Sequence, residues 1–146
     1  MIQIVKSNIG WIILLVLAIG IFLYKKISKN PDAVTSKFKT TQTVHSDFYT
    51  SFVLIKEALE NARFSKVNID EDGTKINARS GFSMSSWSEY IQVKIHRNAD
   101  RTEFEFKSIC ALPTQIFDWG KNKRNYKRFE KELNKLIAIQ ANKSIA

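Results

Sequence analysis

The longest apolar stretch in this chain has no periodicity at all. Ile9 to Tyr24, IGWIILLVLAIGIFLY, carries no charge and is followed at once by Lys25 and Lys26. A helix rises about 1.5 Å per residue, so this run covers about 24 Å against about 30 Å of hydrocarbon. Ser7 and Asn8 can extend it on one side, and the snorkelling side chains of Lys25 and Lys26 on the other. Trp11 and Tyr24 stand near its two ends, the level that amphipathic rings favour. The pattern predicts a membrane-spanning helix over 9–26 behind a short flank, 1–8. A soluble core helix would show a polar stripe, which is missing. A cleaved secretory signal fits less well, because two lysines stand where a small-x-small site is needed.

After the span, the chain becomes polar and patterned. Residues 27–42 mix Lys, Ser and Thr around Asn30-Pro31 without apolar period, and are expected to form a linker. Thr43 to His45 can add a short strand to a sheet edge. Ser46 is the expected N-cap of a helix whose apolar residues, Phe48, Phe52, Ile55, Leu59 and Ala62, follow at spacings of four and three. That stripe is a core-facing one.

Period-two alternation then takes over. A two-residue type I′ turn at Asp72-Gly73 pairs Ile69 with Ile76 and Val67 with Ala78, all on one face. The serine-rich connection from Ser80 to Ser88 reads as a crossing loop or irregular edge pinned by Phe82 and Trp87. Glu89 to Arg97 and Arg101 to Cys110 form a second hairpin with its turn at 98–101. Its register sets Ile95 opposite Phe104, Val93 opposite Phe106 and Ile91 opposite Ser108. On the other face Lys94 meets Glu105 and His96 meets Glu103, oppositely charged or hydrogen-bonding pairs that mildly favour the pairing. One face is apolar and the other charged, so this sheet is covered on one side only. Pro113 ends the strand, and Asp118-Trp119-Gly120 is a turn into a last helix with Tyr126, Phe129, Leu133, Leu136 and Ile137 on its apolar side. Residues 141–146 are expected to fray.

The expected architecture is therefore α+β. One N-terminal transmembrane helix precedes a small antiparallel sheet of two hairpins, open to a fifth short strand, with two helices packed on one face. The soluble domain is placed at 43–140.

Charge sharpens this picture. The net formal charge is +9. Residues 1–42 carry six basic and one acidic side chain (+5), residues 43–118 nine and eleven (−2), and residues 119–146 eight and two (+6). A near-neutral domain thus has two basic ends. Lys25, Lys26, Lys29, Lys37 and Lys39 follow the span, and Lys6 alone precedes it. By the positive-inside rule the domain faces the cytoplasm, with the amino terminus outside a plasma (inner) membrane. A single Cys110 excludes an internal disulfide.

Catalytic chemistry finds little support. In the second hairpin's register Cys110 lies seven residues along the strand from the position facing His96, about 23 Å, beyond proton-transfer reach. His45 has no ligand-spaced companion, so no metal site is expected, and no motif asks for a cofactor. The serines of 80–88 lack the glycine-rich frame and following Lys-Ser or Lys-Thr of a phosphate loop.

The segment QIFDWGKNKRN, Gln115 to Asn125, together with the upstream Ser-Trp stretch, resembles a group of small bacterial proteins of unassigned activity. The resemblance spans about residues 43–138. It implies the order helix, strands, Asp-Trp-Gly-Lys-Asn-Lys turn, closing helix, and a bacterial origin; it implies no activity and no binding residues.

The basic end remains as the functional candidate. Lys121, Lys123, Arg124, Lys127 and Arg128 crowd the start of the last helix, where free N–H groups and the macrodipole also attract anions. Anionic lipid headgroups or a membrane protein are the expected partners, and the bilayer itself through Ile9, Trp11, Tyr24, Lys25 and Lys26. Nucleic acid is disfavoured, because Tyr126 and Phe129 are committed to the apolar stripe. The sequence thus points to a non-catalytic, membrane-tethered module. The alternatives are a ligand binder or enzyme with a pocket between sheet and helices, and a structural subunit of a membrane assembly.

Overall fold

In the computed structural model, which describes residues 2–30, 32–82, 87–97 and 101–143, the apolar run is one long helix. Helix α1 spans Ile2–Ile27, so the expected flank is helical too. Its segment Ile9–Ile27 is long and apolar enough to cross a membrane, with a mean hydropathy of 2.0 and none of it buried against the domain. This separates it from a soluble core helix, which would bury one stripe.

Strand β1 (Lys37–Val44) follows, then α2 (Phe48–Asn61), β2 (Ser65–Ile69), β3 (Lys75–Arg79), β4 (Glu89–Arg97), β5 (Thr102–Cys110) and α3 (Lys121–Lys143). The strands form one antiparallel sheet in the order β1-β5-β4-β3-β2, with α2 and α3 on one face. The α+β fold is as expected, and the fifth strand is present. It is longer than expected: residues 37–42, read as linker, belong to β1. Its sequence KFKTTQTV hides this, because β1 is an edge strand whose large apolar side chains are only Phe38 and Val44. Pairing with β5, from Lys37 opposite Ile109 to Val44 opposite Thr102, supplies the backbone partners that its side chains do not advertise. At the other end α3 runs on to Lys143, past the expected fraying point.

The β4–β5 hairpin has the expected register throughout, including Ile95 opposite Phe104, Val93 opposite Phe106 and His96 opposite Glu103; its turn at 98–100 lies outside the described residues. Glu105, however, makes its ion pair with Lys39 of β1 at 2.7 Å rather than with Lys94. The β2–β3 hairpin keeps Ile69 opposite Ile76, but the register shifts between Ser65 and Asn68, so the Val67–Ala78 pairing is not made. Lys66, with φ +54, marks the irregularity. The turn is also wider than type I′: Asp70 accepts from the backbone N–H of Thr74 and Lys75, and Gly73, not Asp72, takes the left-handed conformation (φ +63). Asp47, not Ser46, caps α2, accepting from the Thr50 N–H at 3.0 Å. Ser46 instead shares a hydrogen bond with the Ser51 hydroxyl.

The core lies between sheet and helices. Ile55 and Leu59 of α2 and Phe129 and Leu133 of α3 meet Ile76, Val93, Phe104 and Phe106, all with almost no exposed surface. Phe129 stacks on Phe106 with ring centroids 5.1 Å apart and meets Phe104 edge-on at 5.8 Å. The interior is filled by rings, a dense arrangement typical of protein cores.

Candidate functional site

One end of the sheet gathers every feature that distinguishes this domain. Antiparallel register places the start of β1, the end of β5, the start of β4 and the end of β3 together there. Helix α3 begins at the same end, because Asp118 turns the chain. Its carboxylate accepts from the N–H of Gly120 at 3.0 Å and of Asn122 at 2.7 Å, capping the helix. Partial burial pushes the Asp118 carboxyl up, but these donors, helped by Ser36, outweigh it and hold its pKa below the usual carboxylate value. Gly120 closes the turn at φ +74.

Helix α1 also arrives here. The Lys25 ammonium donates to the Thr35 hydroxyl and, at 2.6 Å, to the Pro113 carbonyl; Thr35 donates to the same carbonyl at 2.7 Å. The Ser36 N–H then bonds the Gln115 carbonyl at 2.8 Å, and Lys107 pairs with Asp32. The end of α1 is thereby tied to the β5–α3 loop.

Beneath that loop lies a buried polar cluster. Glu89 has no exposed surface, and its Oε2 meets the Ser80 hydroxyl, the Asn125 amide at 3.2 Å and the Lys121 ammonium at 3.1 Å. Asn125 also donates to Ser108, whose hydroxyl donates to Asn122 at 2.7 Å; Asn122 reaches back to the Ser36 carbonyl at 3.1 Å. Glu89 Oε1 has no hydrogen-bond partner among the described residues. The cluster joins the residue before β1 and the residue after β3 to β4, β5 and α3, and so fixes the start of α3 on the sheet.

The five basic residues singled out by the sequence divide accordingly. Lys121 is buried, held by Glu89 and by the Gly81 carbonyl at 2.8 Å. Arg124 is exposed but donates to the Trp119 carbonyl at 2.6 Å. Arg128 lies over the Phe64 ring at 4.8 Å, and desolvation lowers its pKa despite the nearby Glu89 charge. Lys123 and Lys127 are exposed. Arg124, Lys127, Arg128 and Lys131 line, with Gly81, Phe82, Lys121 and Asn125, an open groove of about 570 Å³ along α3. Positive charge there exceeds what Glu89 balances, so the net charge lining the groove is positive.

The sequence reading missed two features. Glu89 looked like the first residue of an alternating strand, and only the fold brings Lys121 to it. The second is a set of large apolar side chains left in water at this end: Phe82, Trp87, Leu112, Ile116, Phe117 and Trp119. Phe82 and Trp87 meet each other edge-on at 5.8 Å, and residues 83–86 between them lie outside the described residues. His96 faces Glu103 while Cys110 faces Glu89, so the hairpin holds these two apart. Among the described residues no group of three His, Cys, Asp or Glu is placed to hold a metal ion. No protein-family model matches this chain, and no curated protein matches it.

Proposed function

We propose that this is a non-catalytic, single-pass protein of a bacterial inner membrane, with its amino terminus outside and its domain on the cytoplasmic side. The domain docks on anionic lipid headgroups through the basic start of α3. The observation that carries this reading is the attachment of Lys25 to Thr35 and Pro113. It ties the loop that leads into α3 to the end of α1, which supports a place for Lys123, Arg124 and Lys127 near the leaflet, where each juxtamembrane charge gains on the order of 1 kcal/mol from anionic lipid. The excess of lysine after the span supports the orientation.

The test is lysine footprinting of the full-length protein in lipid nanodiscs. Lys123 and Lys127 are expected to be acylated more slowly in discs containing phosphatidylglycerol than in phosphatidylcholine alone. The difference should vanish at high salt, while exposed Lys143 at the far end of α3 stays unchanged. Equal rates in both discs would reject the reading. A second reading, a binder of small anions, is favoured by the groove along α3 and not by the space between sheet and helices, which Phe104, Phe106 and Phe129 fill.

A further inference from the structure

The exposed apolar side chains at the anchored end need an explanation that charge does not give. Phe117 is 77% and Trp119 79% exposed, in a loop whose neighbours Leu112 and Ile116 are exposed as well. Solitary exposed apolar residues are ordinary, but a contiguous group marks a surface that something else covers. Trp119 is the sharpest case. Its backbone is left-handed, φ +50, a region where Gly or Asn sits easily and a bulky side chain is an outlier. Its ring packs into no core, and the capping bonds around it come from Asp118, Gly120 and Asn122, not from the indole. Neither folding nor solubility accounts for tryptophan at this position.

The position of α1 says what the covering medium is. Lys25, at the end of the apolar span, bonds the Pro113 carbonyl. Leu112 adjoins Pro113, and Ile116 and Phe117 follow within four residues. At no more than about 3.6 Å per residue, the backbone of these residues lies within about 14 Å of Pro113, the residue that Lys25 holds. Phe82 and Trp87 join the same rim, because Lys121 holds the Gly81 carbonyl and the Ala111 N–H bonds the Ser88 carbonyl. Two tryptophans beside Phe, Ile and Leu, next to the end of an apolar helix, combine the interfacial preference of the indole with side chains that enter the acyl boundary.

We infer that the β5–α3 loop is an interfacial wedge: Leu112, Ile116, Phe117 and Trp119 insert among the headgroups and upper acyl chains of the leaflet from which α1 emerges, with Phe82 and Trp87 beside them. The inference rests on the membrane placement of α1 proposed above, but not on anionic lipid. Apolar insertion persists in uncharged bilayers and at high salt, conditions that abolish docking by lysines.

Trp119 is isolated as a reporter by Trp11→Phe and Trp87→Phe in the full-length protein, reconstituted into phosphatidylcholine nanodiscs with acyl chains brominated near the headgroup. The expected result is blue-shifted emission, quenched several-fold relative to unbrominated discs and unchanged at high salt. A second variant separates insertion from folding. Trp119→Asn suits the left-handed backbone, so thermal unfolding in micelles should be unchanged or shifted upward. Combined with Phe117→Ser, in a Trp11→Phe background that leaves Trp87 as reporter, it should reduce quenching. Red-shifted, unquenched Trp119 emission in discs that do incorporate the protein would overturn the wedge, and would point to a second membrane protein as its cover. Quenching that appears only in anionic discs and disappears with salt would also overturn it, leaving headgroup docking intact. Failure of the chain to enter discs at all would refute both by removing the anchor.

Discussion

A carboxylate without exposed surface is tolerated only while its charge is answered, and at Glu89 the answer converges on one oxygen. Ser80, Asn125 and Lys121 all meet Oε2. Lys121 therefore belongs to the interior, although its place at the head of a basic helix made it look like a surface contact. Desolvating such a pair costs heavily, and removing one partner leaves an uncompensated charge, typically a loss of about 3–5 kcal/mol. Lys121→Met is expected to destabilise the full-length protein in micelles by about that amount, read from urea unfolding by near-ultraviolet circular dichroism. Glu89→Gln added to Lys121→Met should recover more than half of the loss, since an amide needs no counter-charge. If the double variant is as unstable as Lys121→Met alone, the ion pair is not what the lysine supplies.

The start of α3 is where one side chain decides a whole element. Asp118 caps it through the N–H groups of Gly120 and Asn122. Because the folded carboxyl has a depressed pKa, its contribution is complete above the unfolded value, about 3.9, and is lost as pH falls through the lower folded one. Asp118→Ala should cost about 1 kcal/mol near neutral pH. Asp118→Asn keeps a good cap, and its stability deficit relative to wild type should shrink on acidification below about pH 4. A deficit that stays constant through the acid range, in thermal unfolding curves, would mean that the carboxylate's charge is irrelevant. This turn was readable in the sequence because Asp-Trp-Gly joins a capping residue to one that accepts a left-handed backbone. The β4–β5 hairpin was readable for a similar reason, strict alternation with matched residues on both faces. Strand β1 was not, since an edge strand of lysines and threonines has no apolar period, and with it went the Lys39–Glu105 pair. Asp70 likewise altered its turn through bonds to Thr74 and Lys75 that no dipeptide rule contains. The wedge is half visible in the sequence: Asp118-Trp119-Gly120 reads as a turn, but the exposure of Trp119 depends on what the folded chain leaves uncovered.

At the scale of the molecule, the strands become the ruler that makes orientation measurable. Strand β4 has nine residues, so the far end of the sheet stands about 30 Å from the end where α1 attaches. Glu71 is exposed in the far turn between β2 and β3. The chain's single cysteine, Cys110, is buried, so a membrane-impermeant maleimide should find little to label until one is introduced. Glu71→Cys is then expected to be labelled in inverted inner-membrane vesicles and protected in intact spheroplasts. The physical basis is the excess of Lys25, Lys26 and Lys29 over Lys6 on the two sides of the span. That basis predicts its own weakening: Lys26→Gln and Lys29→Gln combined with Gln3→Lys and Ser7→Lys leave three lysines on each flank, and part of the labelling of Glu71→Cys should move to the spheroplasts. Lys25 is left in place because it also holds Thr35 and Pro113. Labelling in spheroplasts before any charge is moved would put the domain outside. The orientation read from the lysines would then fall, while the apolar wedge would still have a leaflet to enter, because its insertion does not depend on the sign of the flanking charge.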